Sequence, residues 1–204
     1  MTRSPFSLTM LSPVAEYLDG ADAPEATVSV VRARGAPIQS PMAGLEPNVL
    51  ARSRPGDTVL VEELTYSGIK EIAASRHGKT RGVAMDAEGL RPDALEEACR
   101  ATRAKVLYCM PRLQNPTSAV MSDKRRRQIA AVVEKHQLTV IEDDVYGPLV
   151  RDRLPAIAGL CPELTFHIGA TSKILAPGLR LGYLSCPRDS VALCAEAVRT
   201  TAWM

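Results

Sequence analysis

The chain has 204 residues, with 25 Lys and Arg against 23 Asp and Glu, a formal charge of +2, and 46% of it is hydrophobic. That is the balance of an ordinary globular protein with enough length for one good core. A charge this small makes no electrostatic case for nucleic acid or an anionic membrane, and no apolar stretch approaches the roughly 20 residues that a membrane span requires.

The opening, "MTRSPFSLTMLSPVA", has one arginine and a short apolar segment broken by prolines, which makes a poor secretory signal, so a cytoplasmic location is expected. Residues 1–54 are rich in Pro, Ala and Arg without a clear period, and are read as an irregular or degenerate N-terminal segment. From residue 55 the pattern becomes regular. The turn pair Pro55-Gly56 opens a compact β-branched run, "TVLVEE" (58–63). A helix follows from about Ser67 to His77, stopped by Gly78, then a short strand, "GVAMD" (82–86). "RPDALEEACRAT" (91–102) predicts a helix, with Pro92 in its first turn and acids near its positive end.

"KVLYCM" (105–110) predicts a strand cut off by Pro111. In "SDKRRRQIAAVVEKHQ" (122–137), Ser122 caps a helix whose Ile129, Val132, Val133 and His136 share one face. Arg125-Arg126-Arg127 in its early turns is read as a solvated face, and His136 as packed. "LTVIED" (138–143), "TFHIG" (165–169) and "LGYLSC" (181–186) complete the strands, and a last helix is expected from about Ser190 onward. The five cysteines form no C-x-x-C pair and are expected as buried free thiols; the three histidines are too scattered for a zinc site, so no metal is expected.

Strands and helices alternate, and several strands are near-continuous apolar runs. The expected fold class is α/β, a mostly parallel sheet covered by helices on both faces. Polar sites in such sheets gather beyond the carboxyl ends of the strands, which puts "MPRLQNPT", "EDDVY" and "GATSK" on one rim.

Those clusters imply a chemistry. Lys173 is expected to be partly desolvated by Ile174 and Leu175 and to lie near Arg180, which would lower its pKa and free an amine to attack a carbonyl. Arg180, with backbone N–H groups around Thr171-Ser172, suits a bidentate hold on a phosphate. Asp143 could keep a pyridine nitrogen protonated, and Tyr146 and Asn115 could hydrogen-bond a ring oxygen. Together these groups describe one ligand, pyridoxal 5′-phosphate.

"VEELTYSG", "QNPTSAVMS", "IEDDVYG" and "SKILAPGLRLGY" resemble the cofactor domain of fold-type I, class I/II aminotransferases over residues 55–204. In wording they are most similar to the aminotransferase-like domain of MocR/GntR-type regulators and to 2-aminoadipate aminotransferase relatives. The order and spacing carry the resemblance, with Asn115, Asp143 and Lys173 successively 28 and 30 residues apart. It implies that Lys173 is the catalytic Schiff-base lysine, that Asp143 pairs with the ring nitrogen, and that Tyr146 and Asn115 hold the ring oxygen. It also implies that Tyr66 stacks on the cofactor face and that Ser172 and Arg180 bind its phosphate. Asp144 is read as a surface or capping carboxylate.

Transamination of an amino acid with a 2-oxo acid is the implied activity, and a homodimer the implied assembly. The alternatives are an effector-sensing domain of a MocR/GntR-type transcription regulator and an inactive fragment of either. This chain alone is not expected to bind nucleic acid. It departs from the family in three places. Gly35-Ala36 and Gln39 are out of register with a phosphate-binding Gly-x-Gln loop, and Pro37, Pro41 and Pro47 interrupt the helix expected there. Ala170 stands where relatives commonly have serine. Relatives continue past the position of Met204 into a small domain that holds the substrate carboxylate, so the large domain is read as incomplete.

Overall fold

The structure, a computed structural model, describes residues 29–32, 56–75, 77–150, 154–175 and 181–194. The predicted runs fold largely where expected. Strands β1 (Ser29–Arg32), β2 (Thr58–Glu62), β3 (Lys79–Val83), β6 (Val106–Cys109), β7 (Thr139–Asp143), β8 (Thr165–Ala170) and β9 (Leu181–Ser185) form one seven-stranded sheet. The short strands β4 (Met85–Asp86) and β5 (Gly89–Leu90) pair separately. The spatial order in the main sheet is β1-β9-β8-β7-β6-β2-β3. Strands β3, β2, β6, β7 and β8 run parallel to one another, whereas β9 is antiparallel to both β8 and β1.

The central strands are buried throughout, as parallel strands covered on both faces must be: every residue of β6 and β8 is buried, and all but the first of β2 and β7. Side chains alternate between the faces. Val59, Val61, Tyr108, Ile141, Phe166 and Ile168 meet Ile69 and Ala73 of helix α1 (Ser67–Ser75) on one side. Leu60, Leu107 and Val140 meet helices α2 (Pro92–Thr102) and α3 (Asp123–His136) on the other. Each fully buried Leu or Ile contributes roughly 1.5–3 kcal/mol.

The helix ends follow their sequence signals. Pro92 sits in the first turn of α2 with Asp93 beside it, and the Ser122 side chain accepts the Arg125 N–H at the start of α3. Arg103 and Gln137 close the two helices in the left-handed region, at φ 53° and 52°.

Three expectations need correcting. Part of the irregular N-terminal segment is a strand: Val30 and Val31 pair with Tyr183 and Gly182 in β1 and β9. The strand expected at 82–86 is two, because the chain breaks at Ala84 and folds back through Gly89, at φ 91°. The basic run is not one solvated face. Arg126 is fully buried and donates to the carbonyls of Met121, Leu154 and Pro155, Arg125 is tied to Asp86 and Glu88, and only Arg127 fits the expectation. His136 is half-buried, 3.0 Å from Glu96.

All five cysteines are buried free thiols. Residues 191–194 are helical, and the rest of the stretch expected as the last helix lies outside the described residues, as do Gly35, Gln39 and their prolines. Among the described residues no helix is long and apolar enough to cross a membrane.

Candidate active site

The carboxyl ends of β2, β6, β7 and β8 lie side by side, because these strands are parallel neighbours in register. Each end carries one of the clusters singled out in the sequence. The strand order therefore does what spacing alone could not: it brings residues over 100 positions apart onto one rim.

The β7 end holds three consecutive buried carboxylates with three separate fates. Glu142 accepts the N–H groups of Ile157 and Ala158, both at 2.9 Å, and so caps the short helix α4 (Ile157–Leu160). Asp143 points to the opposite side. It accepts the Tyr108 hydroxyl at 2.6 Å and the Val145 N–H at 3.3 Å. Burial pushes its carboxyl up to about 6, against the lowering effect of those two donors.

Asp144 is not the surface or capping group expected. It is 1% exposed and accepts from Arg112 Nη1 at 2.8 Å, with His167 Nε2 3.0 Å away. The loop after β6 carries Arg112 over the end of β7, which buries this carboxylate with its counter-ion. Burial opposes the charged form of His167, but the Asp144 hydrogen bond and the charges of Glu142 and Asp144 outweigh it and raise its pKa.

Three residues beyond Asp143, Tyr146 packs half-buried against the core face that includes Val145 and Ala170. Tyr146 and Asn115 line the same cavity of about 260 Å³, with Leu113, Gln114, Pro116 and Ser118. The structure therefore brings together the two groups assigned to one ring oxygen. Tyr66 packs against the same core face as Tyr146, its ring lying over Gly68, where any Cβ would overlap it.

After β8 the chain makes a single 3₁₀ turn, Thr171–Lys173. Ser172 Oγ is buried there and has no hydrogen-bond partner among the described residues. Lys173 is exposed, which corrects the expected desolvation: Ile174 is only half-buried and Leu175 is 73% exposed, so neither covers the amine. Neither Ser172 nor Lys173 lines the Asn115–Tyr146 cavity. Arg180 lies outside the described residues.

Three further residues of this rim were not singled out from the sequence. Tyr108, in the middle of an apolar strand, carried no signal. Glu62 is fully buried and accepts from the Met110 N–H and from Gln114 Nε2, each at 3.2 Å. Burial pushes it up to about 8, opposed by those two donors and assisted by the nearby charge of Asp143. A carboxylate ending an apolar run was the available clue to Glu62. Gln114, 1% exposed, stood next to a chosen residue and was passed over.

One parallel-sheet rim thus carries a buried acid, a phenol and an amide that line one cavity, an exposed lysine, and a buried hydroxyl with no partner among the described residues. Residues 46–204 match the family Aminotransferase class I and II, and the chain belongs to it.

The HTH-type transcriptional regulator YdeF of Bacillus subtilis is 40% identical over 136 residues, covering 67% of this chain and 29% of that protein. Aminotransferase swnA of Metarhizium robertsii is 39% identical over 151 residues, covering 67% and 30%. The chain thus spans about a third of the length of these relatives. Among solved structures, aminotransferase Aro8 of Candida albicans superposes with a TM-score of 0.72 at 27% identity, covering 92% of this chain and 43% of that one. LysN, the α-aminoadipate aminotransferase of Thermus thermophilus, gives 0.77 at 25% identity, covering 93% and 48%.

Proposed function

We propose that this chain binds pyridoxal 5′-phosphate and serves the transfer of an amino group between an amino acid and a 2-oxo acid. The observation that carries the reading is Asp143, a buried carboxylate held by Tyr108 at the end of β7, close in the chain to the cavity that Asn115 and Tyr146 share. The residues fit the cofactor: Asp143 has acceptor capacity left for a ring N–H, and the buried Ser172 Oγ, without a partner among the described residues, is placed for one that a phosphate would supply.

When bound, the cofactor supplies an aldehyde for the amino group and an electron-poor ring that accepts charge from the α-carbon. Asp143 then keeps the proton on the ring nitrogen, which maintains that electron deficiency. Tyr146 and Asn115 donate to the ring oxygen, and Tyr66 covers a face of the ring. Ser172 and Arg180 hold the phosphate. Lys173, whose amine is open to approach, takes and returns the proton at the substrate α-carbon. Residues 55–204 supply this side of the site, and a homodimer is the assembly we assign, in keeping with Leu64, Leu149 and Leu175, each more than half exposed close to the rim segments.

The test is cofactor titration of the full chain and of Lys173→Ala, followed by an amino-acid panel with a 2-oxo acid acceptor. Visible absorption that develops in the wild type and is lost in the variant is the expected result; identical spectra would sink the proposal. A second reading, an effector-sensing domain of a transcription regulator, is favoured by the 40% identity to YdeF. Reading the genomic DNA ahead of Met1 for a helix-turn-helix segment separates the two.

A further inference from the structure

We propose that Gln114, seated on Glu62, is the positioning residue that locks Asn115 and the Tyr66 loop into one unit, an inference that rests on the cofactor reading above. The Gln114 side chain is saturated with bonds. Its two Nε2 hydrogens are shared among three acceptors, Glu62 Oε2 at 3.2 Å, the Leu64 carbonyl and the Asn115 carbonyl at 3.0 Å. Its Oε1 accepts the Thr117 N–H at 3.0 Å and the Thr117 hydroxyl at 2.7 Å.

One buried amide thus joins the segment two residues before Tyr66 to the loop that carries Asn115. The far side of that loop is anchored separately by Arg112 on Asp144. Asn115 is thereby held from both neighbouring strand ends, with its own side chain left for the cavity.

Glu62 is the seat. Its Oε2 takes the Gln114 amide and the Met110 N–H at the start of the same loop, while its Oε1 is buried with no partner among the described residues. The ionisable groups that face it are Asp143 from β7 and the Cys109 thiol from β6. Among the described residues no positive charge is among those influences, and burial pushes the carboxyl up to about 8, so below that pH it accepts as the neutral acid.

The experiment measures dissociation of pyridoxal 5′-phosphate from the full chain, the pH midpoint of its visible absorption when bound, and amide exchange without it. Gln114→Met keeps the bulk and removes the polar atoms. It is expected to weaken binding about tenfold, the size of one or two lost buried hydrogen bonds, and to move the absorption midpoint because Asn115 no longer reaches the ring oxygen. Glu62→Gln retains both accepted bonds and is expected to stay within about threefold of wild type, whereas Glu62→Leu behaves like Gln114→Met.

Wild-type affinity in Gln114→Met, or weaker binding with an unmoved midpoint, overturns the proposal. If the wild type itself takes up no cofactor, the functional reading fails alone, and exchange at the Thr117 amide decides: faster in Gln114→Met upholds the latch, unchanged overturns it. Should Gln114→Met not fold, Gln114→Glu takes its place. A carboxyl beside Glu62 holds its proton into the mildly acid range, so its deficit relative to wild type should shrink between about pH 8 and about pH 6. An equal deficit at both overturns the proposal.

Discussion

The strand ends of β7 and β8 are neighbours in the sheet and are built in opposite ways. At the β7 end three consecutive carboxylates are buried and held: Glu142 by two backbone N–H groups, Asp143 by a phenol, Asp144 by a guanidinium and beside an imidazole. Beyond β8, one turn later, Lys173 is exposed and the buried Ser172 hydroxyl has no partner among the described residues. On the function proposed above, the half that would tune a ring nitrogen is preorganised, while the half that would meet the aldehyde and phosphate is open and would be completed by the ligand. This division is physically sensible. A carboxylate must be buried to act strongly on a distant charge, whereas an amine that forms a bond must be reachable.

The largest effect that separates the two ends is on folding. Asp144→Ala removes the carboxylate from a buried ion pair with Arg112 and is expected to cost about 3–5 kcal/mol of stability in denaturant titrations. Lys173→Ala, at an exposed position, should change stability by less than about 0.5 kcal/mol while abolishing the cofactor spectrum. Comparable losses at both positions would erase the distinction.

Next comes Asp143→Asn, which keeps an acceptor for Tyr108 but not the charge. Turnover is expected to fall on the order of 10²–10³-fold, as for loss of one preorganised electrostatic group, with unfolding little changed. Equal rates for variant and wild type would remove Asp143 from the mechanism.

The third prediction concerns pH. Glu62 and Asp143 keep their protons in the folded chain up to about 8 and about 6, above the ordinary 4.5 and 3.8. The folded state therefore binds more protons than the unfolded one within those windows. Their contribution is fully present below the ordinary values and is lost as pH rises through about 6 and then about 8. Glu96 works in the opposite sense: Lys135 and His136 lower it to about 2, so its contribution is lost as pH falls toward that value. The thermal midpoint should peak near about pH 5 and decline toward about pH 8, and Glu62→Gln should remove the upper part of the decline. A midpoint that rises from about pH 5 to about pH 8 would contradict the burial of both carboxyls. Cofactor affinity should move the other way and weaken below about pH 6, as Asp143 takes up the proton that its role excludes.

The smallest expected effect is Tyr108→Phe. Losing one hydrogen bond to the carboxylate should weaken cofactor binding by about 1 kcal/mol and shift the acid limb of its pH profile upward. An unmoved acid limb would mean that Tyr108 merely packs.

Much of this was legible in the amino-acid order. Apolar runs of strand length located the central strands because both faces of a parallel sheet are covered, and Ser122 and Pro92 marked helix starts by local hydrogen-bond chemistry. The spacing of Asn115, Asp143, Tyr146 and Lys173 pointed to one rim because each follows a strand. Tertiary structure alone decided what covers that rim. Periodicity reports which face a side chain takes, and it is silent about which distant loop lies over a strand end. That is why Asp144 and Arg126 turned out buried, why Lys173 turned out exposed, and why Tyr108, and the bonds that Glu62 and Gln114 make, could be seen only once β2, β6 and β7 stood side by side.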